Sequence, residues 1–151
     1  MRRVDRKLDE VQTMELLQRG EYGVLSLIDP AGMPYGVPLN YAVKDGNIYV
    51  HAATEGKKLQ CAAANPRVCF TVVGQTEVLP DKFSTRYESV MVFGRAAMVE
   101  PSDEKDEALL ALIRKYSADH LENGIAYINN AKGKTVVIRI APEEMTGKKR
   151  A

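Results

Sequence analysis

Between Tyr22 and Ala52 the chain carries three strand-like segments joined by turns too short to contain a helix. Tyr22–Ile28 closes on Asp29-Pro30-Ala31-Gly32, a run of residue types that each favour a tight turn. Tyr35–Val43 follows, with Tyr35, Val37, Leu39, Tyr41 and Val43 on one face and Pro34, Gly36, Pro38 and Asn40 on the other. Lys44-Asp45-Gly46-Asn47 then leads into Ile48–Ala52, and Asp-Gly between apolar runs is the strongest short signal for a hairpin. Neighbouring parallel strands need a crossover of about a dozen residues or more. These spacings therefore argue against a βαβ arrangement and for antiparallel pairing.

The rest of the chain extends that pattern. Val4, Leu8, Val11, Met14 and Leu17 recur at intervals of three and four, so Asp5–Arg19 reads as a helix that Gly20 ends. A short helix is expected over Lys57–Ala64, stopped at Asn65-Pro66 because a residue before proline is pushed out of the α region. Val68–Val73, Ser89–Val99 and Thr135–Ile140 read as further strands, with a polar stretch from Gly74 to Thr85 breaking the pattern. Pro101-Ser102-Asp103-Glu104 opens a helix to about Tyr116, with acids in the first turn where the dipole favours them. Six strands at short spacing, with helices only at the ends and crossings, point to a mainly β fold, an antiparallel barrel with peripheral helices. At 151 residues and 45% hydrophobic content, residues 1–151 are expected to form one domain with a core that needs no staples.

Charge and cysteine usage remove several classes of function. Lys and Arg total 21 against 20 Asp and Glu, so no broad basic surface for nucleic acid is expected. The two basic clusters, Arg2-Arg3 and Lys148-Lys149-Arg150, read as solvated ends. Cys61 and Cys69 match neither a metal clamp nor a redox pair and read as small core residues. With only two histidines, a multi-ligand metal site has poor material. No signal peptide and no stretch of ~20 apolar residues is recognised, so no membrane partner and a cytoplasmic location are expected.

The chemistry concentrates between Pro34 and Arg67. Proline cannot donate to a ladder, so Pro34 and Pro38, with Gly36 between them, imply an edge or an interruption. An interrupted strand leaves free backbone N–H and C=O groups, which suit a flat heteroaromatic ring with an alternating donor/acceptor edge. A bulged edge strand with no ligand fits the same residues. After Tyr49-Val50-His51-Ala52-Ala53-Thr54-Glu55-Gly56, a helix begins with Lys57 and Lys58. A helix start with two ammoniums and the Thr54 hydroxyl suits a phosphate, and a solvated charged helix start is the alternative. The spacing is not that of a Walker loop.

The ordered set of segments resembles the pyridoxamine-phosphate-oxidase-like FMN-binding split barrels, and within them the Nim-type 5-nitroimidazole-resistance group. The segments are Gly36-Val37-Pro38-Leu39-Asn40-Tyr41, Asp45 to His51, Glu55-Gly56-Lys57-Lys58, Asn65 to Phe70, Tyr87 to Ala96, and Met145-Thr146-Gly147-Lys148. The resemblance implies a six-stranded, Greek-key split barrel that dimerises with itself and binds FMN between subunits. It implies that Val37, Pro38, Leu39, Asn40 and Tyr41 line the isoalloxazine ring. It places His51 and Ala52 against the ribityl chain or ring, and Thr54, Lys57 and Lys58 at the phosphate. Oxidases of pyridoxamine phosphate carry an arginine and a lysine at the two ends of the ring-lining strand. Here those places hold Gly36 and Tyr41, and there is no tryptophan to match their C-terminal contact, so vitamin B6 oxidation is not expected.

Two functions fit these residues. One is a reductase that moves electrons from NAD(P)H to a small acceptor such as a nitroaromatic, with His51 as the residue of choice for catalysis. The other is a non-catalytic flavin or haem carrier or sensor, in which a histidine ligates haem iron. His51 also fits a hydrogen-bonded barrel histidine, and His120 a surface one. Arg86, Tyr87 and Arg95 fit either cross-subunit flavin contacts or rim groups.

Overall fold

The computed structural model describes residues 3–151; Met1, and Arg2 of the expected basic cluster, lie outside them. Seven strands form one antiparallel sheet in the order β2-β1-β5-β6-β7-β4-β3. They are β1 (Gly23–Ile28), β2 (Pro34–Leu39), β3 (Ala42–Lys44), β4 (Asn47–Ala53), β5 (Arg67–Leu79), β6 (Ser84–Met98) and β7 (Thr135–Arg150). The helices are α1 (Glu10–Arg19), α2 (Lys57–Ala64), α3 (Ser102–Tyr116) and α4 (Leu121–Asn130).

The edge strands β2 and β3 stand at opposite ends of that order, yet only Asn40 and Tyr41 separate them in the chain. A link that short reaches roughly 10 Å. The sheet must therefore curl until its two edges meet, which makes a barrel whose seam is the β2–β3 junction. The expected single strand Tyr35–Val43 is thus cut in two, and the fold has seven strands where six were expected. β2 pairs with β1, and β3 pairs with β4. The cut is held from far along the chain: the Tyr41 amide donates to the Tyr116 hydroxyl at 3.0 Å, and that hydroxyl donates to the Glu21 carbonyl at 2.6 Å.

Inside the barrel lie Leu25, Leu27, Ile48, Val50, Phe70, Val72, Val90, Val92, Ile138 and Ile140, all essentially without solvent exposure. Each such side chain contributes about 1.5–3 kcal/mol of transfer free energy. A second, smaller layer lies outside the barrel, where Tyr49 and Val137 pack under Ala108 and Leu109 of α3.

Four expectations need correction. The first helix begins at Glu10, not Asp5, because Asp9 and Gln12 form a reciprocal capping box. Upstream, the chain makes one turn of 3-10 helix at Val4–Arg6, and the Leu8 amide donates to the Gly147 carbonyl of β7. Val4 and Val11 of the expected stripe are exposed, and Thr13, Leu16 and Leu17 are the buried face. The polar stretch Gly74–Thr85 is not a break. It is the end of a long β5–β6 hairpin, with Glu77 opposite Arg86 and paired to it at 2.7 Å, and a register shift between Val73 and Thr76. Residues on this arm are largely exposed on both faces, so no apolar alternation marks it. Finally, β7 runs past Ile140 to Arg150, and its last residues pair with Ser89, Glu88 and Tyr87, so Lys148-Lys149-Arg150 is strand and not a loose end. The helix α4 was not anticipated; Gly124 within it sits where a Cβ would fall 2.4 Å from Ile113 of α3, so that glycine allows close helix packing.

Candidate functional site

The helix α2 has the expected bounds, and no side chain among the described residues caps its start. Gly56 at the N-cap has φ +137°, which other residues avoid, and space for any added atom is open. The Leu59 and Gln60 amides donate to the Gly56 carbonyl at 3.1 and 3.2 Å, which leaves the Lys57 and Lys58 N–H groups at the positive end of the helix dipole. Of the two lysines, Lys57 makes contacts outside the helix. Lys57 lies 4.8 Å from the Tyr35 ring of β2 and 3.7 Å from Asp29 in the β1–β2 turn. Lys58 is half-buried, and its charge acts on His51 of β4.

Asp29 was not singled out from the sequence, although its side chain accepts from the Ala31 and Met33 amides at 2.9 and 2.8 Å and so shapes the turn. An aspartate before proline in a turn carries that signal. Tyr116, which pins the barrel seam, was also missed; nothing local in the sequence announces it.

The expected ring-lining residues divide by alternation. Pro38 and Asn40 are exposed, while Val37 and Leu39 are half-buried and pack on the core. Tyr41 departs from the expectation altogether. Its ring is fully buried inside the barrel, edge-on to Phe70 at 4.9 Å, and its hydroxyl donates to the Leu17 carbonyl. Burial holds its phenol well above the usual tyrosine range. Ala52 also points inward, at 4% exposure, so its side chain is core. Thr54 is exposed just before α2.

His51 lies on the outer face of β4, opposite Val137 in the ladder. It borders a small groove with Leu112, Ile113, Tyr127, Ile128 and Thr135, roofed by α3 and α4. Burial first, and the Lys58 charge second, hold its imidazole below the usual histidine range. The residue remains exposed to solvent on that face. Arg86, Tyr87 and Arg95 are engaged elsewhere within the chain: Arg86 with Glu77, Tyr87 with the Arg6 guanidinium at 3.2 Å, and Arg95 with Glu143 at 2.9 Å. Cys61 is buried and Cys69 half-buried, both as free thiols. No group of three or more metal-ligating side chains and no helix long and apolar enough to cross a membrane occurs among the described residues.

A family model described as pyridoxamine 5'-phosphate oxidase matches residues 9–149. No curated protein matches the chain in sequence. A solved structure of a candidate 5-nitroimidazole antibiotic resistance protein from Bacteroides thetaiotaomicron is 26% identical, with a TM-score of 0.81 over 94% of this chain and 85% of that one. An FAD-binding protein from Mesorhizobium loti is 25% identical, with a TM-score of 0.67 over 97% of this chain and 98% of that one. The FAD and heme binding protein from Mycobacterium smegmatis shares the fold, with a TM-score of 0.82 at 18% identity over 95% of this chain and 73% of that one.

Proposed function

The chain belongs to the pyridoxamine 5'-phosphate oxidase family, and from that premise we propose that it is a flavoprotein reductase that holds FMN. The observation that carries the reading is the uncapped start of α2, where Gly56, Lys57 and Lys58 stand between the open edge strand β2 and His51. The anion site takes the phosphate, with the Thr54 hydroxyl beside it. The exposed face of β2 at Pro38 and Asn40 and the backbone of Val37–Tyr41 border the ring. A flavin held there would supply the redox chemistry, a two-electron exchange between NAD(P)H and a small acceptor such as a nitroaromatic. The protein's own part is to position it, and His51 is the side chain that would supply a proton to the acceptor.

The reading includes a homodimer. Met91 and Phe93 of β6 and Val73 of β5 project from the outer face of the sheet at 41%, 42% and 54% exposure. Phe83, at the tip of the β5–β6 arm, is 98% exposed. Such an apolar strip is a cost in a monomer and an asset in an isologous pair.

The test is the visible spectrum of the purified protein, followed by chromatography of the cofactor released on denaturation and by NAD(P)H oxidation with and without a nitroimidazole. A flavin spectrum, released FMN and acceptor-dependent turnover are expected. Colourless protein that does not take up FMN overturns the reading, release of FAD corrects the cofactor, and a Soret band replaces the reductase with a haem carrier.

A further inference from the structure

Lys115, near the end of α3, has its ammonium buried with no hydrogen-bond partner among the described residues. Its Nζ lies 3.7 Å from the centre of the Tyr41 ring and 5.3 Å from that of Tyr116. An aromatic face attracts a cation but does not accept its three N–H groups as oxygen does. A buried donor without an acceptor is costly, and in native proteins such a group usually has an ion, water or ligand to meet it.

The same side chain helps to line a groove of about 440 Å³ between α1, β3 and α3. Arg114 lines it too, is exposed, and makes no ion pair among the described residues. Gln18 adds an amide, and Ala42, Val43 and Ala111 supply the apolar part of the lining. The nearby carboxylates are already occupied: Glu107, which lines the groove, pairs with Lys44 at 2.6 Å, and Asp45 pairs with the same lysine at 3.1 Å. The lining thus holds two cations without a carboxylate partner among the described residues, the buried Lys115 and the exposed Arg114, beside the paired Lys44 and Glu107, the Gln18 amide and three small aliphatic side chains.

We propose that this groove binds a small organic carboxylate, its charge met by Lys115 and Arg114 and its short apolar tail by Ala42, Val43 and Ala111. The planar Arg114 fork suits a carboxylate in two-point contact, and the cluster of Ala42, Val43 and Ala111 favours an anion with a short apolar tail over one hydrated on every side, such as inorganic phosphate. The site is separate from the α2 anion site and independent of whether flavin binds. It adjoins the barrel seam, because Lys115 rests on Tyr41, the residue after Asn40.

The experiment is a two-dimensional NMR titration of the labelled full-length protein with sodium butyrate and, in a separate series, with sodium phosphate. Butyrate should shift the amides of Ala42, Val43, Ala111 and Lys115 saturably. Lys115→Met should weaken that binding about 10- to 100-fold, the worth of one charged hydrogen bond. Arg114→Gln, at an exposed position, should weaken it as well and leaves a folded protein for the test should Lys115→Met not fold. The proposal is overturned if butyrate gives no saturable shift in this groove, if both variants bind it as the parent does, or if phosphate binds there and butyrate does not.

Discussion

The Lys57 ammonium lies 4.8 Å from the centre of the Tyr35 ring, so the first turn of α2 is anchored to the edge strand β2. That contact joins two stretches of sequence that read separately as a phosphate site and a ring-lining edge. It also shows that Lys57 is not wholly free for a ligand, because Asp29 stands 3.7 Å away.

Lys57→Ala with Lys58→Ala should weaken FMN binding about 10- to 100-fold while riboflavin, which lacks the phosphate, changes little. Asp29→Asn should act in the opposite direction on FMN, since it removes a competing carboxylate. Quenching of flavin fluorescence measures all three. Equal losses for FMN and riboflavin would show that the lysines do not hold a phosphate.

Much of this site was legible because its signals are local. The Asp45-Gly46 turn, with φ values of +49° and +77°, and the helix Lys57–Ala64 both follow from short-range rules. The prolines of β2 correctly marked an edge strand. What did not follow was the cut at Asn40–Tyr41, because the group that holds it, the Tyr116 hydroxyl, lies 75 residues away. The placement of Tyr41 was available in principle: it shares a face with Val37 and Leu39, and that face is turned to the core. Reading Val37–Tyr41 as one continuous lining overrode the alternation. The β5–β6 arm was hidden for a different reason, since a ribbon wetted on both faces has no apolar period to read.

Charging the outer sheet face should separate the subunits. Met91→Asp with Phe93→Asp places two carboxylates in the strip that a partner would cover, while the inward-facing Val90 and Val92 stay untouched. Like charges brought together across a two-fold axis cost several kcal/mol. Analytical ultracentrifugation should show a dimer for the parent chain and a monomer for the double variant, with flavin lost alongside. A parent chain that sediments as a monomer with flavin bound removes the dimer from the reading.

Lys115 should make stability depend on pH in the alkaline range. Burial pulls its pKa down to about 8 from the ordinary value of 10.5. The folded state therefore binds fewer protons than the unfolded state between those values, and stability rises with pH across that window. Below pH 8 the cost of burying the ammonium is present in full. Lys115→Met removes it and keeps the aliphatic contact with Tyr41. After discounting for the solvent-exposed part of the side chain, the gain near pH 7 is about 1 kcal/mol, or a Tm rise of roughly 2–4 °C. The gain should shrink as pH approaches 10. Thermal unfolding followed at several pH values checks the sign, and a variant that is less stable at pH 7 would mean that the stacking of the cation on Tyr41 outweighs its burial.

His51 offers the sharpest separation between binding and chemistry. Its imidazole is held below the usual histidine range by burial and, after that, by Lys58. A group that releases its proton this readily is a suitable donor to a reduced acceptor. His51→Ala should keep the flavin spectrum but slow acceptor-driven flavin reoxidation about 10²–10⁴-fold per flavin, the usual worth of general acid help. Reduction by NAD(P)H should change far less, because hydride transfer calls for no proton from the protein. The oxidative rate of the parent should fall as pH rises through the depressed histidine pKa. Lys58→Ala removes the unfavourable neighbouring charge, raises that pKa and moves the fall to higher pH. NMR titration of the imidazole ring reports the same displacement without turnover. If His51 serves only to pack against the cofactor, the alanine variant loses flavin, its rate per bound flavin is unchanged, and the pH profile does not follow the Lys58 substitution. Stopped-flow half-reactions normalised to bound flavin distinguish the two outcomes.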